Sequence, residues 1–155
     1  MKNIYLLCGV PASGKSTWVK ERLNEHSVWI SRDNIRFSMV SENEEYFAKE
    51  GEVFNAFIRA IKAAIKDDSI EDIYIDATHL TETSRNKVLD RFVWGVRDKL
   101  YVVAFDVNLE TCLERNNKRT GRERVPEYVI KNMAKTYTKP TYNEKYRYKN
   151  IIEVK

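Results

Sequence analysis

Apolar residues along the chain fall into short runs, separated by longer stretches in which they recur every three or four positions. The runs Ile4–Cys8, Val28–Ile30, Ile73–Ile75, Tyr101–Val107 and Ile151–Val154 are rich in β-branched and aromatic side chains and predict five strands. Between them the spacing predicts helices at about 15–25, 34–41, 46–67, 84–98, 109–119 and 127–137. The stretch 46–67 has the clearest stripe: Phe54, Phe57, Ile58, Ile61 and Ile65 stand at i, i+3, i+4, i+7 and i+11, the pattern of one buried helix face. Strands that alternate with helices imply the α/β class, here a mostly parallel five-stranded sheet with helices on both faces. Ligands of such sheets gather beyond the carboxyl ends of the strands, so the residues that follow each strand are the first candidates for chemistry.

After the first strand comes Gly9–Ser16, GVPASGKS, which fits G-x-x-x-x-G-K-[ST]. The apolar run before it and the helical stretch behind it supply the strand–loop–helix setting of a phosphate-binding loop. Gly9 and Gly14 let backbone N–H groups turn inward on phosphate oxygens, and Pro11, Ala12 and Ser13 complete the turn. Lys15 is expected to reach the β- and γ-phosphates and the Ser16 hydroxyl to ligate Mg²⁺, with Thr17 next on the helix. The expected cofactors are ATP and Mg²⁺.

The second strand leads into Ser31–Arg36 and the third into Asp76–His79. Asp33 either caps a helix or accepts the proton of a hydroxyl that attacks phosphorus. Arg36 lies one helical turn on and on the same side, so an acceptor carrying both a hydroxyl and a phosphate would meet both residues. Asp76, at the strand end, either starts a turn or supports Mg²⁺ directly or through water, as a second candidate metal residue beside Ser16. Thr78 and His79 are candidates for the acceptor pocket, although a lone loop histidine is more often structural.

With 155 residues, 43% hydrophobic and 32% charged, the chain suits one domain, expected to span 1–155 with no room for a second catalytic domain. No apolar run is long enough to cross a bilayer and no secretory segment is visible, so a cytoplasmic protein without membrane partners is expected. Cys8 and Cys112 have no metal-ligand spacing and read as free buried thiols. Charge is uneven: residues 1–110 hold 15 Lys/Arg against 18 Asp/Glu, and residues 111–155 hold 12 against 5. That basic third suits a polyanionic partner, ATP alone, or a solvated face.

Within it, Arg115 and Arg119 stand i, i+4 at a helix end, Gly121 frees the chain and Pro126 restarts a helix. Residues 115–126 therefore read as a basic lid whose guanidinium groups close over phosphates, Arg119 as an arginine finger in cis; attraction to the helix dipole is the competing reading. Tyr137, Tyr142, Tyr146 and Tyr148, interleaved with Lys139, Lys145, Arg147 and Lys149, either stack on bases or pack the tail onto the domain, and packing is preferred.

Taken together, Gly9–Thr17 with Trp18, Ser31–Arg32–Asp33 with Arg36, Asp76 with Thr78, and Arg115–Asn116–x–Lys118–Arg119 leading to Val125–Pro126 resemble the 5′-kinase domain of the phage-type polynucleotide kinase-phosphatase family, within the P-loop kinases. The resemblance runs from Met1 to about Tyr137. It implies transfer of the ATP γ-phosphate to the 5′-hydroxyl of DNA or RNA, in nucleic-acid repair. It further implies Lys15 and Ser16 on ATP and Mg²⁺, Asp33 as general base, Arg36 on the acceptor phosphate, Asp76 and Thr78 on the acceptor side, and Arg115 and Arg119 over the phosphates. The D-x-D aspartates of a phosphatase domain are absent, so no 3′-phosphatase activity is expected, and the lid around Thr120–Val125 is slightly longer than the family pattern. Competing readings are a related kinase with another hydroxyl acceptor (a tRNA-linked serine, a nucleotide sugar as in zeta-type toxins, a metabolite) and an ATPase module that binds nucleic acid. The Asp33–Arg36 pair favours a kinase over the module.

Overall fold

The computed structural model describes residues 1–155. Strands β1 (Asn3–Cys8), β2 (Ser27–Ser31), β3 (Asp72–Asp76), β4 (Lys99–Phe105) and β5 (Asn150–Val154) form one sheet in the order β2-β3-β1-β4-β5, every pair parallel. Six α-helices join them: α1 (Lys15–Lys20), α2 (Arg32–Met39), α3 (Glu50–Lys66), α4 (Glu82–Leu89), α5 (Leu109–Asn117) and α6 (Glu127–Thr136), with a 3₁₀ turn at Gly121–Glu123. This is the α/β architecture of a P-loop domain.

Alternation along the strands divides the core in two. Ile4, Leu6, Cys8, Ile30, Ile73, Ile75, Leu100 and Val102 face α3, whose Phe54, Phe57, Ile58 and Ile61 are buried and whose Ile65 packs at the margin. Leu7, Tyr74, Val103 and Phe105 face the other way, against Trp18 and Val19 of α1. A smaller cluster, Val10, Cys112 and Ile130, seats α5 and α6 beside the loop after β1. Both cysteines are free and buried, and burial pushes the Cys8 thiol up to about 12.

Three helices are shorter by a turn or more than the periodicity predicts. Helix α1 stops at Lys20, after which Asn24 and Ser27 turn the chain by bonding to one another. Helix α4 stops at Leu89, because Asp98 accepts from the Gly95 and Lys2 amides and holds the following segment as a loop. Helix α3 begins at Glu50 and leaves Tyr46 outside it.

Residues 137–149 pack back on the domain, as their tyrosines suggest. Tyr148 is buried, Tyr137 and Tyr146 lie against the main core, and Tyr146 stands 5.7 Å from Trp94. The anchor is a buried ion pair. Arg85, 0% exposed, donates through Nε and Nη2 to Glu144 at 3.0 and 2.8 Å, and through Nη1 to the carbonyls of His79 and Thr138 at 2.9 and 3.1 Å. Burial opposes ionisation of Glu144, but bonds from Arg85 and Tyr148 hold its carboxyl below the ordinary value. Removing one partner strands the other charge, so Arg85→Met should cost about 3–5 kcal/mol in chemical denaturation. Arg85→Met with Glu144→Leu should recover most of that loss; a double variant as unstable as the single one would show that packing, not charge, sets the cost.

Candidate active site

One rung of the sheet sets the site. Ser31, Asp76 and Leu7 are aligned across β2, β3 and β1, so the three segments that follow those strands leave at one level. The first is the loop Gly9–Gly14, tied to the third by Gly9 N donating to Thr78 O at 2.9 Å. A Cβ at Gly9 would lie 2.8 Å from Ser13 Oγ and 2.9 Å from Phe105 Cβ, so only glycine lets the loop close this tightly. Gly14 is left-handed, with φ of 101°. Lys15 Nζ donates to Gly9 O and Val10 O, each at 2.8 Å, while the buried Ser13 hydroxyl has no partner. A tight turn with an unpaired buried hydroxyl and an ammonium held across its own carbonyls fits a nucleotide phosphate.

Asp76 is buried and its Oδ2 accepts from Trp29 Nε1 at 2.9 Å. Burial raises its pKa; the neighbouring Lys15 and the indole act against that. Lys15 in turn is lowered by burial, opposed by Asp76 and Asp33 and reinforced by Arg119. These four side chains therefore share one electrostatic neighbourhood. No three His, Cys, Asp or Glu residues cluster to hold a metal by themselves, so Mg²⁺ here would rest on phosphate oxygens together with Ser16 and Asp76.

Asp33 opens α2, but the cap of that helix is Ser31, whose Oγ accepts from Asn34 N at 3.2 Å. The Asp33 carboxylate, 60% exposed, is left for other work. Its Oδ1 accepts from Arg36 Nη1 and, at 2.6 Å, from the Tyr46 hydroxyl, while no protein group donates to Oδ2. Behind it, Glu50 accepts from Arg36 through both carboxylate oxygens, each 2.9 Å from Nη2, and from Arg32 at 2.5 Å. Burial, then the adjacent Asp33 carboxylate, pushes the Tyr46 hydroxyl well up, so it remains a neutral donor. One oxygen of Asp33 is thus pinned by two donors and the other is presented to solvent.

The basic segment lies over the loop. Arg115 Nη1 comes within 3.4 Å of where a Gly14 Cβ would stand. Arg119 lies just past the end of α5, where its charge acts on Lys15 and Asp76. Asn116, wholly buried, clasps the far side of the turn: Nδ2 donates to Val125 O at 2.6 Å and Oδ1 accepts from Val125 N at 2.9 Å. Arg122 donates to Phe37 O at 3.4 Å and to Val40 O, which joins the lid to the end of α2. Arg115, Lys118, Arg119, Arg122 and Arg124 have no carboxylate within ion-pair distance, so the lid's charge is uncompensated.

Residues 4–140 match the family model AAA_33, an AAA domain. This chain belongs to that family. Among solved structures, this AAA_33 domain is similar to a fungal RNA kinase at 18% identity and a TM-score of 0.68, covering 99% of this chain and 74% of that one. A chain of the Pnkp1/Rnl/Hen1 RNA repair complex is 21% identical with a TM-score of 0.69, over 87% of this chain and 43% of that one. Kti12 of Chaetomium thermophilum, in complex with ADP-AlF3, is 18% identical with a TM-score of 0.59, over 97% and 88%. What this chain shares with them is the P-loop fold.

Two of the residues predicted for the acceptor pocket sit differently in the AAA_33 domain. Arg36 was expected on an acceptor phosphate, yet its side chain is 6% exposed and all three of its nitrogens are bonded to Glu50, Asp33 or Tyr46. A buried guanidinium requires partners, and these leave it none to offer a ligand. His79 was expected in the same pocket and is instead buried beneath the loop, in left-handed backbone at φ 41°, its Nδ1 donating to Leu7 O at 2.5 Å. Thr78 takes part through its carbonyl. Tyr46, Glu50, Trp29, Asn116 and Arg122 were missed as site residues; they act across 9 to 85 residues of chain, beyond the i, i+3 and i, i+4 spacing of one helix face.

Burial drives His79 down to about 3, against the pull of the Leu7 carbonyl. Between pH 6.5 and about 3 the unfolded chain therefore binds a proton that the folded one refuses, and stability falls as pH falls through that window. Lowering pH from 6.5 to 5 should cost roughly 2 kcal/mol through this residue. His79→Asn, which keeps a donor and tolerates left-handed backbone, should flatten the slope of denaturation midpoint against pH; an unchanged slope would assign it to other groups.

Proposed function

We propose that this chain is an ATP-dependent polynucleotide 5′-hydroxyl kinase that passes the γ-phosphate of ATP to the 5′-hydroxyl end of DNA or RNA. The observation that carries the reading is the Asp33 carboxylate, held by Arg36 and Tyr46 at one oxygen and open at the other, beside the phosphate loop. An ATPase has no need of an acceptor carboxylate anchored in this way. The unpaired lid arginines and the basic C-terminal third favour a polyanionic acceptor over a small metabolite.

In this reading Asp33 Oδ2 takes the proton of the acceptor hydroxyl as its oxygen bonds to phosphorus, and the bond to the ADP oxygen breaks. Lys15, leaving the carbonyls of Gly9 and Val10, and Arg115 and Arg119 from the lid hold the phosphate oxygens and absorb the charge that spreads over them. Ser16 and Asp76 are the residues that would hold Mg²⁺, which would supply charge neutralisation to the phosphates. Action on strand ends would place the protein in nucleic-acid repair, in line with the fungal RNA kinase and the RNA repair complex that share its fold.

Labelled ATP offered with 5′-OH DNA, 5′-OH RNA, 3′-nucleotides and tRNA should label strand ends. Asp33→Asn should keep ATP binding and lower that transfer by roughly 10²-fold or more. Arg119→Ala should act on kcat more than on ATP affinity. ATP hydrolysis with no 5′-hydroxyl labelled would remove the reading, and over half of wild-type turnover in Asp33→Asn would return Asp33 to a structural role.

A further inference from the structure

Three aromatic rings stand in a row beside Asp33 and none belongs to the core. Phe37 lies 6.4 Å from Tyr46 between ring centres, and Tyr46 lies 4.7 Å from Phe47, edge to face. Phe47 is 60% exposed and Tyr46 37%, in a domain whose other rings near the site, Trp18, Phe57 and Phe105, are packed inside. The row is cationic at both ends. The Arg36 guanidinium sits over Tyr46 at 4.4 Å and Phe47 at 5.6 Å, and Arg122 of the lid sits over Phe37 at 4.5 Å.

We propose that Phe47, braced by Tyr46, is the platform on which the base of the acceptor's terminal nucleotide stacks. The proposal rests on the kinase reading above and names the part of the acceptor which that reading leaves unplaced. The Tyr46 hydroxyl is one hydrogen bond from the carboxylate that would receive the acceptor proton, so a nucleoside whose 5′-hydroxyl meets Asp33 Oδ2 brings its own base to these rings. The bond from Tyr46 to Asp33 Oδ1 fixes ring and carboxylate relative to one another, and the same contact that anchors the base acceptor anchors the platform. A π-face accepts any base, so the platform provides grip without sequence choice, and the charge of the lid suits the phosphates that follow the base. A small polar acceptor would leave an exposed phenyl ring unused.

The test uses the full chain, ATP and 5′-OH oligonucleotides that end in 2-aminopurine, in an ordinary base, or in an abasic sugar. The terminal 2-aminopurine should be quenched on binding to the wild type, much less with Phe47→Leu, and again with Phe47→Trp, which restores a π-face. In transfer, the wild type should show a KM for the abasic end raised roughly 5- to 100-fold over the base-bearing end, and Phe47→Leu should erase most of that gap. Equal use of abasic and base-bearing ends by the wild type, or a quench that Phe47→Leu leaves intact, would overturn the platform. Phe47-dependent quenching without transfer to any 5′-hydroxyl would remove the kinase reading and keep the platform. Neither quenching nor transfer would overturn both.

Discussion

The site depends on a single constraint, the parallel register that aligns Ser31, Asp76 and Leu7 on one rung. Because the strands run the same way, the phosphate loop, the start of α2 and the turn after β3 all emerge at one edge, and no later adjustment of loops is needed to bring them together. The apolar face toward α3 holds that register: a slip of one residue would exchange Ile4, Leu6, Ile73 and Ile75 for polar or aromatic neighbours against Phe57 and Ile61. Two buried polar devices below the loop complete the frame. His79 joins the turn after β3 to β1 through the Leu7 carbonyl, and Arg85 joins that same turn to the tail through Glu144. The loop that grips phosphate is thus supported from beneath by groups that have no chemistry of their own.

Within this frame, the Arg36 guanidinium decides how Asp33 behaves. A buried cation needs compensation, and Glu50 supplies it with both oxygens, which leaves Nη1 to fix the orientation of Asp33. The carboxylate is held on one side and free on the other, the arrangement required of a group that must point at a proton rather than merely attract a cation. In the proposed reading Arg36 is therefore a positioning residue, and the positive charge that would meet an acceptor or ATP resides in the lid. Arg122 links that lid to the carbonyls at the end of α2, so the basic segment and the helix that carries Asp33 are joined.

Much of this was legible in the sequence wherever the signal is local. Strand runs, the stripe on α3 and the glycine-framed loop depend on nearest neighbours, and the strands end within two residues of the predicted runs. Asp33, Asp76 and Arg119 became candidates because each follows a strand or a helix end, and the charges of all three act on Lys15. What was not legible came from long-range pairing. Nothing near Arg36 announces that Glu50 will neutralise it, so it read as a phosphate clamp. Nothing near His79 shows that Leu7 accepts its proton, so a loop histidine read as a pocket residue. Tyr46 was absorbed into the helix predicted over 46–67, whereas it precedes that helix and its hydroxyl is committed to Asp33.

The claim that Glu50 and Arg36 exist to aim Asp33 is open to a direct measurement, a double-mutant cycle on the kcat for labelling 5′-hydroxyl ends. Glu50→Gln leaves the shape of the pair and weakens its charge, so in the wild-type background it should lower kcat. In the Asp33→Asn background, where no carboxylate remains to be aimed, the same change should add little, giving a coupling of about 1–3 kcal/mol between the two positions. An equal loss from Glu50→Gln in both backgrounds would show that Glu50 serves the fold or the acceptor independently, and would contradict the account of Arg36 as the residue that points Asp33 at its proton.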